Sequence, residues 1–211
     1  MNLAAIKKAV SKERLLVSGV VTDARLLPEG AQSVLLLSPD EPAFWPYFKK
    51  SEEWTSGQTD PMDRWSSRTI TALAKEFGGQ AIFPSDGPPY APFQKWAMAT
   101  GRFWVSPAAL LVHDQAGLFA SFRGAVALPY EVSDEKSLQP CASCEAPCLT
   151  ACPVAALSAD GYDVDACHAH LDTEAGSDCM RQGCRARRAC PVGQNRRMDE
   201  QSAYHMRRFH Q

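Results

Sequence analysis

Apolar residues near the start of the chain follow first a helical and then a strand-like pattern. From Leu3 to Leu16, residues such as Ile6 and Val10 recur four apart with lysines between them, which predicts a short amphipathic helix. The runs 15–21 and 33–37 are almost continuously apolar and rich in valine and leucine. Such runs are typical of buried strands, so we expect two core strands after the first helix.

Proline and glycine delimit a longer helix further along the chain. Asp60 and Pro61 are residue types that favour a helix start, with the aspartate as N-cap and the proline in the first helical position. Gly78 and Gly79 should end this helix after Phe77.

The elements that follow are shorter. We predict a strand at 80–83, a proline-rich aromatic loop at 84–92, a helix at 93–100, and a hairpin of strands 110–113 and 118–122 joined by a turn at 114–117. Alternating helices and strands favour an α/β or α+β domain. From Glu131 the composition shifts to serine, aspartate, glutamate and lysine. We therefore place a domain boundary near residue 135, which gives domains 1–135 and 136–211.

The composition also bears on the cellular compartment. No stretch approaches the ~20 consecutive apolar residues of a membrane span, and lysines occupy the N-terminal positions where a secretory signal would have its apolar run. We therefore expect a cytoplasmic protein with no membrane partner. Because disulfides are rare in the reducing cytosol, the cysteines are expected to serve metal or redox chemistry.

All eight cysteines lie between Cys141 and Cys190. The first four are spaced C-x2-C-x3-C-x3-C and followed by proline, one residue wider than the ferredoxin run C-x2-C-x2-C-x3-C-P. In that run three thiolates bind one [4Fe-4S] cluster, and the fourth cysteine ligates the other cluster. The spacing therefore predicts two clusters.

A partial repeat supports this prediction. Residues 151–154 and 189–192 both read Ala-Cys-Pro-Val, as expected if each half lends its last cysteine to the cluster of the other half. The predicted ligands of the first cluster are Cys141, Cys144, Cys148 and Cys190. Those of the second are Cys152, Cys167, Cys179 and Cys184.

Other uses of these thiols stay open. Zinc also binds four thiolates in structural sites, although zinc ribbons usually separate two C-x2-C pairs by a long loop. Disulfides are a third interpretation. His168, directly after Cys167, is an alternative ligand for the second cluster.

The cysteine pattern resembles that of the epoxyqueuosine reductase and reductive dehalogenase group. The resemblance lies in the run ending Cys152-Pro153, the isolated Cys167 before an apolar stretch, and the last cysteines ending Cys190-Pro191. It implies a nitroreductase-like α/β domain followed by a small bacterial-ferredoxin-like module with two [4Fe-4S] clusters, and the ligand sets given above. It also makes cobalamin a candidate cofactor, with flavin as an alternative.

A weaker likeness covers the first domain, where Ala91-Pro92 is similar to the segment after the family's catalytic acid. Asp86 and Tyr90, in the loop just before it, are the candidate proton donors. The implied activity is an iron-sulfur oxidoreductase that passes single electrons to a cofactor or substrate at the N-terminal domain. The alternative is a ferredoxin-type electron carrier whose N-terminal domain only docks a partner.

The C-terminal segment is basic, because residues 181–211 contain eight arginines against two acidic residues. Four of these arginines, at 181, 185, 187 and 188, stand among the cysteines, where their charge would offset that of a thiolate-ligated cluster. The others, at 196, 197, 207 and 208, are candidates to dock an acidic electron donor such as a flavodoxin or ferredoxin, or RNA phosphates. A merely solvated tail is the alternative.

Overall fold

The chain forms two compact units that both contain helices and strands. The computed structural model describes residues 1–196 and 198–211, so that Arg197 of the predicted basic tail lies outside the described residues. The first unit consists of Met1–Arg102 and Ser121–Ser137, and the second of Phe103–Ala120 and Leu138–Gln211. The predicted α+β class is confirmed.

The helices and strands of the described residues are mostly short. The helices are α1 (Leu3–Lys12), α2 (Phe44–Phe48), α3 (Glu52–Thr55), α4 (Pro61–Glu76), α5 (Phe93–Ala99), α6 (Val164–Leu171), α7 (Ser177–Gln182), α8 (Arg185–Arg188) and α9 (Asp199–Phe209). The strands are β1 (Leu15–Val21), β2 (Ser33–Pro39), β3 (Gln80–Ile82), β4 (Phe103–Val105), β5 (Leu111–His113), β6 (Gly124–Leu128), β7 (Leu157–Ser158) and β8 (Gly161–Tyr162). Within this part of the chain, no helix combines the length and the apolar composition that crossing a membrane requires.

The first unit is built on an antiparallel sheet in the order β1-β2-β6-β3. All seven residues of β2 are buried, as its continuous apolar pattern predicted. Leu35 pairs with Val20 on one side and with Val126 on the other. β2 is therefore an inner strand of the core.

The sequence does not predict β6, although it is the other inner strand. β6 consists mostly of small residues, which give a weak hydrophobic signal, yet all five are buried. A side chain at Gly124 would reach within 2.9 Å of Ile70 Cδ1 in α4. The close packing of α4 on this strand explains why glycine occurs there.

The start of α4 differs in one detail from the prediction. Pro61 takes the first helical position as expected, but Asp60 has a left-handed conformation, with φ of 47°, and its side chain makes no capping hydrogen bond. The helix start is therefore set by proline rather than by a capping carboxylate.

The predicted hairpin at 110–122 is wrong in its second strand. β5 pairs with β4, which precedes it, and Phe103 lies opposite His113. The turn at 114–117 does form and is closed by two hydrogen bonds between His113 and Gly117. Residues 118–122 are not a strand, because Leu118 turns into the buried core of the second unit.

The same segment alters the predicted domain organisation. The first unit ends at Ser137, close to the predicted boundary, but Phe103–Ala120 belongs to the second unit. Ala108 and Val112 pack there in one buried core with Cys148. A local sequence pattern cannot reveal this, because the packing joins segments that lie far apart in the chain.

A group of ionic contacts connects distant parts of the first unit. Asp134 accepts hydrogen bonds from Lys7 Nζ at 2.8 Å and Arg102 Nη1 at 3.3 Å, and its side chain is only 12% exposed. Burial alone would raise the pKa of Asp134, but its hydrogen bonds and the nearby positive charges outweigh burial and lower it.

We expect Asp134→Asn to lower the free energy of unfolding by about 1–3 kcal/mol at neutral pH, since it removes the charged acceptor of two cationic donors. Because the folded-state pKa is lowered, this stabilisation is present above the unfolded-state value of about 3.9 and is lost as the pH falls through the folded-state value. The difference in the free energy of unfolding between the wild type and Asp134→Asn should therefore become smaller in acid. Urea unfolding followed by tryptophan fluorescence at several pH values measures it.

The matched control is Asp63→Asn. Its carboxylate is 57% exposed and 3.9 Å from Arg123, so we expect a change below about 0.5 kcal/mol. If Asp134→Asn lowers the free energy of unfolding by the same amount at all pH values, the loss does not come from the ion pairs of Asp134.

Candidate metal centre

Four cysteines of the second unit line one cavity. They are Cys141, Cys144, Cys148 and Cys190. The cavity contains about 280 Å³ of empty space, including its opening to solvent. Apart from Ser106, the remaining wall is apolar, and part of it comes from β5 and the segments on either side of it. These are the cysteines that the sequence assigns to the first cluster.

Local backbone turns bring the first three of them together. The Cys144 N–H donates to the Cys141 carbonyl at 3.2 Å, and Cys148 lies in a short 3₁₀ helix, Pro147–Leu149. Ala146, directly before this helix, has φ of 54°, which costs an alanine roughly 1–2 kcal/mol. The unfavourable conformation lies at the point where the chain reverses between Cys144 and Cys148.

Cys190 reaches the same cavity from the other end of the motif. It is buried and lies just beyond α8. The turn at 114–117 packs against it, because a side chain at Gly117 would lie 3.0 Å from Cys190 Sγ and would overlap the carbonyl oxygen of Val192. Gly117 also has φ of +57°, which glycine adopts without strain. This turn belongs to the segment Phe103–Ala120, which contains the paired strands β4 and β5 and which we call the inserted hairpin. The inserted hairpin thus closes one side of the first cysteine site.

The surroundings of the first group disfavour free thiolates. Burial raises the pKa of Cys141, and the negative charges of Cys144, Cys190 and Cys148 raise it further. Burial also raises the pKa of Cys148, and the backbone N–H groups of Cys148 itself and of Ala108 oppose this effect. Thiolates placed in this way need positive charge among them to ionise together, and metal ions supply it.

The other four cysteines form a second group in the same unit. They are Cys152, Cys167, Cys179 and Cys184. Burial raises the pKa of Cys167, and the charges of the other three raise it further. Burial likewise raises the pKa of Cys179, with a contribution from Cys184. α6, α7 and the start of α8 carry Cys167, Cys179 and Cys184. These are the cysteines that the sequence assigns to the second cluster.

Hydrogen-bond donors surround the sulfurs of this second group. The Ala156 N–H donates to Cys152 Sγ at 3.3 Å. The backbone N–H of Arg185 lowers the pKa of Cys179, and the Tyr162 hydroxyl lowers the pKa of Cys167; in both cases the larger effect of burial prevails. Burial raises the pKa of Tyr162, and the neighbouring Cys167 raises it further. Such donors are a feature of cluster-ligating thiolates.

The donor chemistry fits iron-sulfur clusters. All eight cysteines are free thiols, and soft thiolates are the ligands that these clusters prefer. Within the described residues, no group of three or more His, Cys, Asp or Glu side chains is arranged to hold a metal ion. The assignment of ligands to clusters stays a prediction.

The arginines near the cysteines make intramolecular contacts. Asp178 pairs with both Arg185, at 2.7 Å, and Arg188, and the hydrogen bond from Arg185 is the main reason that the pKa of Asp178 is lowered. Arg187 Nη1 donates to the Leu118 carbonyl at 2.6 Å. Their positive charge therefore stays next to the second group of thiols but is partly offset by Asp178.

The predicted proton donors lie in the first unit, whereas all eight cysteines lie in the second. The Asp86 carboxylate accepts a hydrogen bond from the Phe83 N–H at 2.8 Å, which closes a turn of the loop. Tyr90 is 67% exposed. Their catalytic role stays a prediction.

Two residues of the site escape prediction from sequence. Tyr162 is an isolated tyrosine with no motif spacing to mark it. Gly117 stands in a recognisable turn, but only the fold shows that the turn meets Cys190. His168, the alternative ligand, packs edge-on against Phe209 with ring centroids 4.7 Å apart.

Comparisons with known proteins give a distant likeness. No protein-family model and no curated protein sequence matches the chain. Among solved structures, it is similar to a crystal structure of selenomethionine-labelled epoxyqueuosine reductase, with 13% sequence identity and a TM-score of 0.47. The match covers 81% of this chain and 51% of that one, so the chain corresponds to about half the length of the reductase.

We expect Gly117→Ala to loosen the first cysteine group, because the added methyl would overlap Val192 and press on Cys190. Overpacking of this kind costs about 1–3 kcal/mol. Hydrogen exchange read by mass spectrometry should show faster exchange at 113–117 and 190–193. The control is Gly87→Ala, where a side chain would meet nothing within 4 Å. Equal protection in the two variants would contradict this packing.

Proposed function

We propose that this chain is an iron-sulfur oxidoreductase that passes single electrons through two [4Fe-4S] clusters. The observation that carries the proposal is the meeting of Cys141, Cys144 and Cys148 with the distant Cys190 at one cavity. Two of these thiols are buried and two are partly buried. Four thiols gathered in this way have no packing advantage over apolar side chains, whereas the binding of a metal cluster would account for them.

The protein's part in this chemistry is to hold and shield the clusters. Two sets of four thiolates supply the ligands, and the apolar core around Ala108, Val112 and Leu118 keeps water away from the first set. The backbone N–H of Ala156 donates to Cys152 Sγ at 3.3 Å. Bound clusters supply one-electron oxidation and reduction, with each electron taken from an external donor such as a flavodoxin or ferredoxin.

The destination of the electrons separates two forms of this proposal. In the first, which the resemblance to epoxyqueuosine reductases suggested, they reach a cofactor such as cobalamin or a substrate at the first unit, with Asp86 or Tyr90 as proton donor. In the second, the chain is an electron carrier and the first unit only docks a partner. The exposure of Tyr90 and the turn-closing bond of Asp86 favour the second.

We expect protein purified without oxygen to show broad absorption near about 400 nm and to contain about eight irons with equal sulfide, as two [4Fe-4S] clusters require. Cys190→Ala and Cys167→Ala should each remove one cluster and about half of the iron. The control is Ser143→Ala, an exposed position between two ligands, which should keep all of it. Zinc in place of iron, or a colourless protein, would overturn the proposal.

Once clusters are established, cobalamin binding distinguishes the two forms. A base-off spectral change with micromolar cobalamin, together with slower turnover in Tyr90→Phe or Asp86→Asn, supports the reductase. Reversible reduction of the clusters without any cobalamin or flavin binding supports the carrier.

A further inference from the structure

Positive charge is concentrated at the second cysteine group. Cys179 lies in α7, and Cys184 directly precedes α8. The segment 177–188, which contains both, has one acidic residue, Asp178. It has four arginines, at 181, 185, 187 and 188. Among the described residues, those that line the cavity of the first group include no charged side chain. The two cysteine groups therefore differ in the charge around them.

Three of these arginines gather around Asp178. Arg185 Nε lies 2.7 Å from Asp178 Oδ2, and Arg188 Nη2 contacts the same oxygen. Arg181 follows Asp178 by three positions in α7, a spacing that places two side chains next to each other on the surface of a helix. We call these three arginines and Asp178 the arginine patch. It carries three positive charges around one negative charge and is therefore positive.

The arginine patch is accessible to solvent. Arg181 is exposed and donates a 3.4 Å hydrogen bond to the Ser177 hydroxyl. The Arg185 side chain is 45% exposed. Arg188 is less exposed, and its Nε donates to the Gly183 carbonyl at 3.1 Å. Arg181 and Arg185 therefore present most of the charge to a partner.

The thiols beside the patch are less buried than those of the first group. Of the second group only Cys179 is buried, whereas two of the four thiols of the first group are buried and the inserted hairpin closes one side of their cavity. Arg185 directly follows Cys184 in the chain. A donor bound at the patch therefore comes close to the second cluster, as the transfer of an electron requires.

We infer that an acidic electron-donor protein docks on the arginine patch and delivers single electrons to the second cluster, which is thus the point of electron entry. The inference rests on the proposed function and adds the site at which the donor binds. Positive charge attracts an acidic surface from a distance. Complexes for electron transfer are small and weak, so that charge governs their association more than buried area does. In each encounter the donor loses one electron and the cluster gains it.

The test is the stopped-flow reduction of the whole cluster-loaded protein by an acidic flavodoxin in its reduced state, followed by the bleaching of the cluster absorption. At low ionic strength we expect Arg181→Gln to lower the second-order rate constant about threefold and Arg181→Glu about tenfold, because charge steers the encounter. Arg181→Lys, which keeps the charge, should retain the rate. At about 1 M salt, where charges are screened beyond about 3 Å, the variants should become equal.

Two controls separate docking from a change in the clusters. Arg25→Gln removes an arginine of the first unit that is 88% exposed and paired with Asp23 at 2.7 Å. It changes the net charge by the same amount and should leave the rate unchanged. Reduced methyl viologen, a small cationic donor, should reduce Arg181→Gln at least as fast as the wild type. Slower reduction by both donors would show a change in the cluster itself and would overturn the inference.

Ligand variants identify the point of entry. In a Cys190→Ala background, which retains the second cluster, flavodoxin should still reduce the protein, and Arg181→Glu should still slow the reaction. In a Cys167→Ala background, which retains the first, reduction by flavodoxin should be slow and insensitive to Arg181→Glu. Fast reduction in the second background would contradict entry at the second cluster.

The outcomes separate this inference from the proposed function. A wild-type protein without clusters refutes the proposed function itself. Clusters that viologen reduces but flavodoxin does not, or that flavodoxin reduces equally fast in wild type and Arg181→Glu, refute only the docking site. An unchanged flavodoxin rate together with weaker binding of an RNA oligonucleotide to Arg181→Glu assigns the patch to nucleic acid instead. Loss of iron in Arg181→Gln also refutes the inference, because an exposed side chain should not be needed to hold the ligands.

Discussion

The gathering of eight thiols into two groups, three of them buried and five partly buried, is the constraint on which the second unit depends. Thiolates at such short range repel one another, and burial adds to the cost of ionising them. The helices that carry them are also too short to be stable alone, as α7 and α8 span Ser177–Gln182 and Arg185–Arg188. Under the proposed function, metal binding offsets both costs, because it neutralises the sulfurs and links the short elements that carry them.

The cysteine segment does not provide this unit's core by itself. Ala108, Val112 and Leu118 come from the inserted hairpin and pack with Leu157 and Ala186 from the cysteine region. A fragment beginning at residue 136 would therefore lack part of the wall of its first cysteine site. The hairpin must be counted as part of the second unit, although the composition along the chain assigns it to the other domain.

The sequence predicts features that are local or that recur at fixed spacing. β2 and α4 follow from continuous and periodic apolar patterns, and the cysteine spacing and the Ala-Cys-Pro-Val repeat predicted two groups of four thiols. The pairing of β5 with β4 and the position of β6 depend on contacts between distant residues, which no short window contains. β6 shows this limit of prediction from local sequence. Glycine is needed at 124 because Ile70 approaches the strand closely there, and glycine adds nothing to the hydrophobic pattern from which a strand is predicted.

In the C-terminal segment, the charged residues gave no indication in the sequence that a helix packs there. Its arginines suggested a basic tail, yet α9 buries Gln201, Ser202 and Ala203, a face too polar to stand out as hydrophobic. The end of this helix lies against the second cysteine group, while the inserted hairpin closes the first. Both groups consist of cysteines alone, so under the proposed function a difference between the reduction potentials of two clusters would come from their surroundings and not from the kind of ligand. The helix and the hairpin lie at the two ends of the second unit, outside the cysteine motif itself.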